Sequence, residues 1–240
     1  MRFMRAKSTS FYLFNIKRKT PTSIQLNHVV PEYAGARMAD WLSHMGDWNI
    51  SRRRFWGLPL PFYPCTECGH LTVIGSRQEL EERALEGMDG LRELHRPWID
   101  DVVIRCESCD AEVRRITAVG DAWLDAGIVP FSTLDYMQQS DAFASWYPAD
   151  FVSEMREQIR LWFYSMLFMS VTLEGRSPYQ AVFVYEKLND ETGRPMHKSW
   201  GNSIDFGEAA DRMGADVMRW MYAGHNPVYN INFGYGPATE

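Results

Sequence analysis

The four cysteines of the chain fall into two Cys-x-x-Cys pairs, Cys65/Cys68 and Cys106/Cys109. A gap of two residues lets both thiolates of a pair point at one ion, and two such pairs complete a tetrahedral site that suits zinc and leaves no position open for a substrate. Residues 69–105 separate the pairs, a longer stretch than the roughly 15–20 residues of a compact zinc ribbon. The spacing therefore predicts a structural Zn²⁺ site that pins the base of an inserted loop.

Two other uses of the cysteines are open at this stage. Disulfides are disfavoured because the chain shows no secretion signal and is expected to be soluble and cytoplasmic. A redox dithiol would require one pair at the start of a helix. No membrane partner is expected either, because the longest apolar stretch, residues 161–173, is shorter than the roughly 17–25 residues of a membrane span.

Length and charge limit the remaining classes of protein. The chain has 240 residues, which allows one domain or one domain with a small insert, and hydrophobic residues make up 45% of it. A formal net charge of -6 argues against a generally basic nucleic-acid binder. The local run of arginines at 52–54 is typical of a solvated face.

Hydrophobic periodicity predicts an alternating α/β pattern. A helix follows Pro31 and ends near Gly46, and apolar residues at helical spacing predict one long buried helix over 152–173. Residues 181–185 (AVFVY) predict a short buried strand. A last helix follows from Asp205, carries apolar residues from Phe206 to Met221 on one face, and ends at Gly224. The order helix, strand, loop, helix indicates a parallel sheet.

Three further segments resemble the isoleucyl-tRNA synthetase family of class I aminoacyl-tRNA synthetases. Residues 47–61 (DWNISRRRFWGLPLP) resemble the family segment DWCISRQRYWGxPIP, which also continues into a Cys-x-x-Cys pair. Residues 94–100 (LHRPWID) resemble LHRPYID, and residues 119–127 (VGDAWLDAG) resemble DVxDxWFDSG. Several long, ordered matches are far more specific than one short motif.

Residues 154–164 (EMREQIRLWFY) are similar to the family's EGxDQxRGWFY. In the family this segment contacts the aminoacyl-adenylate and its ribose, so the resemblance implies adenylate contacts at Glu154, Glu157 and Gln158. Met155 and Leu161 stand where the family has glycine. Taken alone, the pattern is equally typical of a helix with one charged, solvated face.

Residues 193–202 (GRPMHKSWGN) align with the class I signature KMSKS and the LGN that follows it. The resemblance implies that Met196, His197, Lys198 and Ser199 contact ATP and that Lys198 is the catalytic cation, which stabilises charge on the leaving pyrophosphate. Pro195 replaces the first lysine of the signature. Without the resemblance, this segment would be interpreted as an exposed loop.

The resemblance implies an isoleucine–tRNA ligase that uses ATP with Mg²⁺, isoleucine and the isoleucine tRNA. It divides the chain into a tail or cut edge (1–26), the return from the editing insertion (27–64), a zinc-binding insert (65–110) and the second half of the Rossmann-like catalytic domain (111–240). The fold class is thus a partial α/β sheet of the class I synthetase type with an inserted zinc subdomain.

Two family features are not found in the sequence. No His-x-Gly-His motif is present, and the first strands of the nucleotide-binding sheet are missing. We therefore expect a fragment that is inactive alone and that has the missing half of the synthetase as a partner. The alternatives are a non-catalytic zinc module that binds tRNA or a protein, and a fragment of the sister valyl or leucyl enzyme.

Overall fold

The computed structural model describes residues 28–54, 57–138 and 141–239, together with the backbone of two short strands nearer the N-terminus. It divides into two compact units. The first consists of Gly46–Val129 and the two N-terminal strands, and the second of the segment that ends at Met45 and the chain from Pro130 onward. The predicted tail, residues 1–26, lies outside the described residues apart from those strands.

Short strands and helices alternate along the described chain. The strands are β1 (Met4–Arg5), β2 (Tyr12–Phe14), β3 (His28–Val30), β4 (Trp48–Asn49), β5 (Ser51–Arg52), β6 (Phe62–Pro64), β7 (Leu71–Val73), β8 (Ala84–Glu86), β9 (Val103–Arg105), β10 (Glu112–Arg114), β11 (Val119–Gly120), β12 (Ala149–Met155), β13 (Tyr179–Tyr185), β14 (Leu188–Asn189) and β15 (Ile231–Asn232). The helices are α1 (Glu32–His44), α2 (Arg77–Arg83), α3 (Ala122–Gly127), α4 (Val129–Ser132), α5 (Asp141–Trp146), α6 (Trp162–Leu173), α7 (Phe206–Met213) and α8 (Ala215–Gly224). None of the described helices is both long enough and apolar enough to cross a membrane.

A three-stranded parallel sheet in the order β12-β13-β3 forms the centre of the second unit. Helix α6 connects β12 to β13, as the crossover between parallel strands requires. The sheet, α1 and α6 share one hydrophobic core, which includes Ala34, Met38, Phe163, Leu167, Val182 and Val184. This arrangement confirms the predicted α/β class with a parallel sheet.

The long helix predicted over 152–173 is wrong in its first part. Ala149–Met155 form strand β12, Arg156–Arg160 form a 3₁₀ turn, and the helix begins only at Trp162. Val152 lies beside Val182 in the parallel ladder between β12 and β13. Pairing with β13 thus outweighs the helical spacing of the apolar residues. Strands buried on both faces do not alternate apolar and polar residues, so the sequence pattern alone does not identify this strand.

The last predicted helix is two helices. Its start is correct, because the Asp205 carboxylate caps α7 by accepting a hydrogen bond from the N–H of Gly207 at 2.8 Å. Gly214, with φ of 89°, separates α7 from α8. The predicted single apolar face is not formed as one buried surface, since Phe206 is 73% and Trp220 80% exposed. The break at Gly214 prevents one continuous apolar stripe.

Small antiparallel sheets build the first unit, among them the pair β6-β7 and the order β10-β9-β8. Their shared core contains two of the cysteines; its buried members include Tyr63, Cys65, Leu80, Ile104, Cys106 and Val113. Helix α2 begins at the Ser76 cap, whose hydroxyl accepts the N–H of Glu79 at 3.1 Å. Helix α2 ends at Arg83, where the chain turns into β8.

The LHRPWID segment ends in a buried ion-pair cluster of the first unit. Asp100 accepts a hydrogen bond from Arg96 at 2.5 Å and pairs with Arg115, whose side chain is 1% exposed. Arg115 also donates to the carbonyls of Leu60 and Ala118. Burial lowers the pKa of Arg115, and Asp100 opposes that effect. Asp100 therefore supplies the negative charge that this buried guanidinium requires.

Candidate functional site

The four cysteines meet at one point of the first unit. Their sulfurs all lie within 4.8 Å of one another, with Sγ–Sγ distances of 3.6 Å between Cys65 and Cys109 and 3.7 Å between Cys68 and Cys106. A tetrahedral ion with metal–sulfur bonds of about 2.3 Å separates its sulfurs by about 3.8 Å. A disulfide would require about 2 Å. The four thiols are free and their donor set fits a metal ion of the zinc type.

Backbone N–H groups favour the thiolate form of two of these cysteines. The N–H of Cys68 makes the largest contribution at Cys65 and lowers its pKa to about 7. The N–H of Ser108 lies 3.5 Å from the sulfur of Cys106 and lowers the pKa of that thiol. Hydrogen bonds to the charged form lower a pKa. These turns thus prepare the sulfurs to act as metal ligands.

The second unit carries a polar cluster at the carboxyl ends of its parallel strands. Glu154 ends β12, and its carboxylate accepts a hydrogen bond from the hydroxyl of Tyr185 at 3.0 Å. Burial and this hydrogen bond raise the pKa of Tyr185. Gln158 caps α6, because its Oε1 accepts the N–H of Trp162 at 3.1 Å. In open α/β sheets, ligands bind outside this end of the strands.

Glu157 lies in an ion-pair network that sequence reasoning did not include. Its Oε1 is 2.5 Å from the ammonium of Lys187 and 3.8 Å from the guanidinium of Arg156. Burial would raise the pKa of Glu157, but the hydrogen bond and the charge of Lys187 outweigh it and lower the pKa. Arg156 also pairs with Glu186 at 3.1 Å. Lys187 and Glu186 directly follow the predicted strand. Their position at its carboxyl end is the sequence signal from which they could have been included in the site.

The predicted lysine loop follows β13 and the short strand β14. Lys198–Trp200 form a single 3₁₀ turn, and Lys198, Ser199 and His197 are exposed. Among the described residues, no carboxylate lies within ion-pair distance of the Lys198 ammonium. Met196 is half-buried against the core of Ala209, Met218 and Phe233. The loop is thus anchored through Met196 and presents its cation to solvent.

The predicted adenylate contacts fall into two groups. Glu154, Glu157 and Gln158 lie together at the strand ends, and the loop of residues 196–199 forms a separate group in the same unit. Across the described residues, no hydrogen bond or ion pair joins the two groups. The first group offers carboxylate acceptors for ribose hydroxyls, and the second offers a free cation for phosphates.

Comparisons with known proteins identify the family of the chain. The family model described as tRNA synthetases class I (I, L, M and V) matches residues 4–234. Two solved structures share the fold. One is the Mycobacterium tuberculosis methionyl-tRNA synthetase in complex with methionyl-adenylate, with a TM-score of 0.61 and 16% sequence identity. The match covers 95% of this chain and 36% of that one. The ternary complex of Agrobacterium radiobacter K84 LeuRS with tRNA and LeuAMS has a TM-score of 0.56 at 22% identity, covering 81% and 27%. The chain belongs to the class I tRNA synthetases.

Within this class, the chain is similar to isoleucine–tRNA ligases. It is 39% identical over 221 residues to the enzyme of Methanopyrus kandleri, an alignment that covers 86% of this chain and 20% of that protein. It is 43% identical over 205 residues to the enzyme of Methanosarcina acetivorans, covering 85% and 19%. The chain therefore spans about a fifth of the length of these relatives.

Proposed function

We propose that the chain is the part of an isoleucine–tRNA ligase that holds ATP and the aminoacyl-adenylate. The observation that carries this proposal is the exposed, unpaired Lys198 ammonium on a loop that follows a parallel sheet with carboxylates at its strand ends. Lys198 meets the ATP phosphates and stabilises charge on the leaving pyrophosphate. His197 and Ser199 flank that contact, and Met196 anchors the loop.

Glu154, Glu157 and Gln158 form the adenylate side of the proposed site. Carboxylates accept hydrogen bonds from ribose hydroxyls, as in dinucleotide sites. Mg²⁺ accompanies ATP and neutralises phosphate charge. The isoleucine carboxylate attacks the α-phosphorus of ATP and pyrophosphate leaves; a terminal hydroxyl of the isoleucine tRNA then attacks the acyl carbon of the adenylate and AMP leaves. This chemistry is that of a cytoplasmic protein of translation.

The proposed roles of the cysteines and of residues 65–110 are structural. Cys65, Cys68, Cys106 and Cys109 hold one Zn²⁺, which fixes the fold of a zinc-binding insert. Four thiolates leave no open position on the ion, so it takes no part in the reaction. Residues 27–64 then form the return from the editing insertion, and residues 111–240 the second half of the catalytic domain.

MgATP is expected to stabilise the chain in a way that depends on Lys198. At tenfold excess over Kd, a ligand that binds only the folded state adds about 1.4 kcal/mol of stability. The Lys198→Ala variant should lose most of this gain, because a charge-assisted contact to phosphate is removed. Thermal melts with and without MgATP measure the effect. A matched control is Arg105→Ala, which removes an exposed cation from strand β9 of the first unit; an equal shift in wild type and Lys198→Ala would refute the proposal.

The 240-residue chain alone is expected to show no isoleucine-dependent exchange between ATP and pyrophosphate. Strand β12 has a single neighbour among the described strands, and Phe151 on it is 62% exposed. Parallel strands are normally covered on both sides, so we infer that another segment of the synthetase pairs with β12 and completes the site. The exchange assay with isoleucine measures this, and robust exchange by the isolated chain would contradict it.

A further inference from the structure

We propose that Asn202 is a positioning residue for Lys198, and that Asp190 holds the Asn202 amide in the required orientation. The proposal rests on the proposed function of Lys198 as the cation that meets ATP phosphates. It assigns a role to two polar side chains outside the predicted contact set. We call the pair the loop clasp.

Asn202 closes the lysine loop from its far end. Its Oδ1 accepts a hydrogen bond from the N–H of His197 at 2.9 Å, the residue directly before Lys198. Its Nδ2 donates to the carbonyl of Pro195 at 2.9 Å. The Asn202 side chain thus bonds the backbone at two places, Pro195 and His197, on the segment that precedes Lys198. These two bonds define where the turn of Lys198 begins.

Asp190 decides which way the Asn202 amide points. Its Oδ2 accepts the Nδ2 of Asn202 at 2.8 Å, so the amide nitrogen faces Asp190 and the amide oxygen is left for His197. Asp190 is itself fixed, because its Oδ1 accepts from the N–H groups of Thr192 at 3.0 Å and Arg194 at 2.9 Å. The Asn202 amide is the largest contributor that holds the pKa of Asp190 well below its usual range.

The backbone between the clasped points is also defined. The N–H of Trp200 donates to the carbonyl of His197 at 3.0 Å, and the N–H of Gly201 to that of Lys198 at 3.2 Å. Gly201 has φ of 70°, a left-handed conformation that glycine adopts without steric cost. The turn therefore ends at Gly201 and returns the chain to Asn202, which completes a closed loop around Lys198.

A closed loop matters because catalysis by charge stabilisation depends on a cation held in place before the reaction. An exposed lysine on an unrestrained segment has to be ordered at the moment of binding, which costs conformational entropy. The clasp restrains the backbone of Lys198 while its side chain stays free to reach a phosphate. Its loss should weaken phosphate contacts and leave contacts to the nucleoside unchanged.

The test compares Asn202→Asp with the swapped pair Asp190→Asn/Asn202→Asp in the full 240-residue chain. The single variant keeps the shape of the side chain but sets two carboxylates against each other. The swapped pair restores one amide and one carboxylate across the same contact. Asn226→Asp is the matched control, because it introduces the same charge change in a turn where Asn226 Oδ1 only accepts the N–H of Val228.

Two measurements are made on each variant. Calorimetric titration gives the affinities for MgATP and for adenosine, and amide hydrogen exchange gives the protection of the His197 N–H. Asn202→Asp keeps an oxygen that can accept the His197 N–H, but repulsion from Asp190 moves that oxygen away, so the His197 N–H should exchange about tenfold faster, as for one weakened hydrogen bond. The variant should bind MgATP as weakly as Lys198→Ala does, with wild-type affinity for adenosine. The swapped pair should recover most of both properties, and Asn226→Asp should match wild type.

Three outcomes would overturn the proposal. Wild-type MgATP affinity in Asn202→Asp shows that the clasp does not position Lys198, and a parallel loss of adenosine affinity shows a general structural role. The swapped pair restores the contact between positions 190 and 202 and leaves the Pro195 carbonyl without its donor, so His197 protection no better than in Asn202→Asp shows that Asp190 does not orient the side chain at 202. Equal MgATP affinity of wild type and Lys198→Ala would overturn the proposed function and, with it, the role of the clasp. This outcome can be told apart from failure of the clasp alone, because it is measured on a variant that leaves Asn202 unchanged.

Discussion

Removal of the metal is expected to unfold the unit formed by Gly46–Val129. Cys65 and Cys106 are members of its hydrophobic core, at 4% and 1% exposure, so the proposed ion would be bound by residues of the core itself. Without an ion, four sulfurs would crowd together, and backbone N–H groups favour the thiolate form of two of them, Cys65 and Cys106. Structural zinc contributes about 10–16 kcal/mol in zinc-finger peptides. The ion is therefore expected to supply more stability than the small sheets of this unit can replace.

Metal analysis and melting curves test this expectation. We predict one zinc per chain and loss of the cooperative transition of this unit after chelation, with recovery when zinc is returned. Cys106→Ser should reproduce the loss. Ser108→Ala should not, because Ser108 donates to the Cys106 sulfur through its backbone N–H, which alanine keeps. A metal-free chain with an unchanged melting transition would show that the four thiols are not a structural site.

Replacement of Asp100 by alanine should give the second large effect. Arg115 would keep its two carbonyl partners but lose the carboxylate that balances its charge in a position where the side chain is 1% exposed. Removing one partner of a buried ion pair typically costs about 3–5 kcal/mol. For a unit of this size, a loss of about 3 kcal/mol lowers Tm by more than roughly 10 °C.

Denaturant unfolding of Asp100→Ala and of the control Asp101→Ala measures this effect. Asp101 is the exposed neighbour in the same 3₁₀ turn, and only its backbone carbonyl bonds Arg114, so its change should cost less than about 0.5 kcal/mol. Arg115→Met is informative as well, because an apolar side chain in place of a buried ion is often tolerated. Equal, small losses in both aspartate variants would disprove the role of the cluster.

Sequence patterns predicted the features that are set by local chemistry. The spacing of the cysteines predicted their convergence, because each Cys-x-x-Cys turn brings two sulfurs together by itself. The apolar run at 181–185 predicted strand β13, and Asp205 predicted a helix start. Each of these signals depends on residues close together in the chain, and the structure confirms all three.

Features that depend on distant partners were not predictable in this way. Residues 152–155 have helical spacing but form a strand, because a ladder of six residue pairs with β13 outweighs local preference. The network of Arg156, Glu186 and Lys187 joins the ends of two strands that are far apart in sequence. The same holds for Asp190 and Asn202, which meet only after the loop folds back.

The most direct test of the central claim is a crystal structure of the chain with a non-hydrolysable ATP analogue and Mg²⁺. The account predicts phosphate oxygens within about 3 Å of the Lys198 ammonium and a ribose near Glu154 and Glu157. A nucleotide bound elsewhere, or a well-ordered Lys198 directed away from the phosphates, would contradict it.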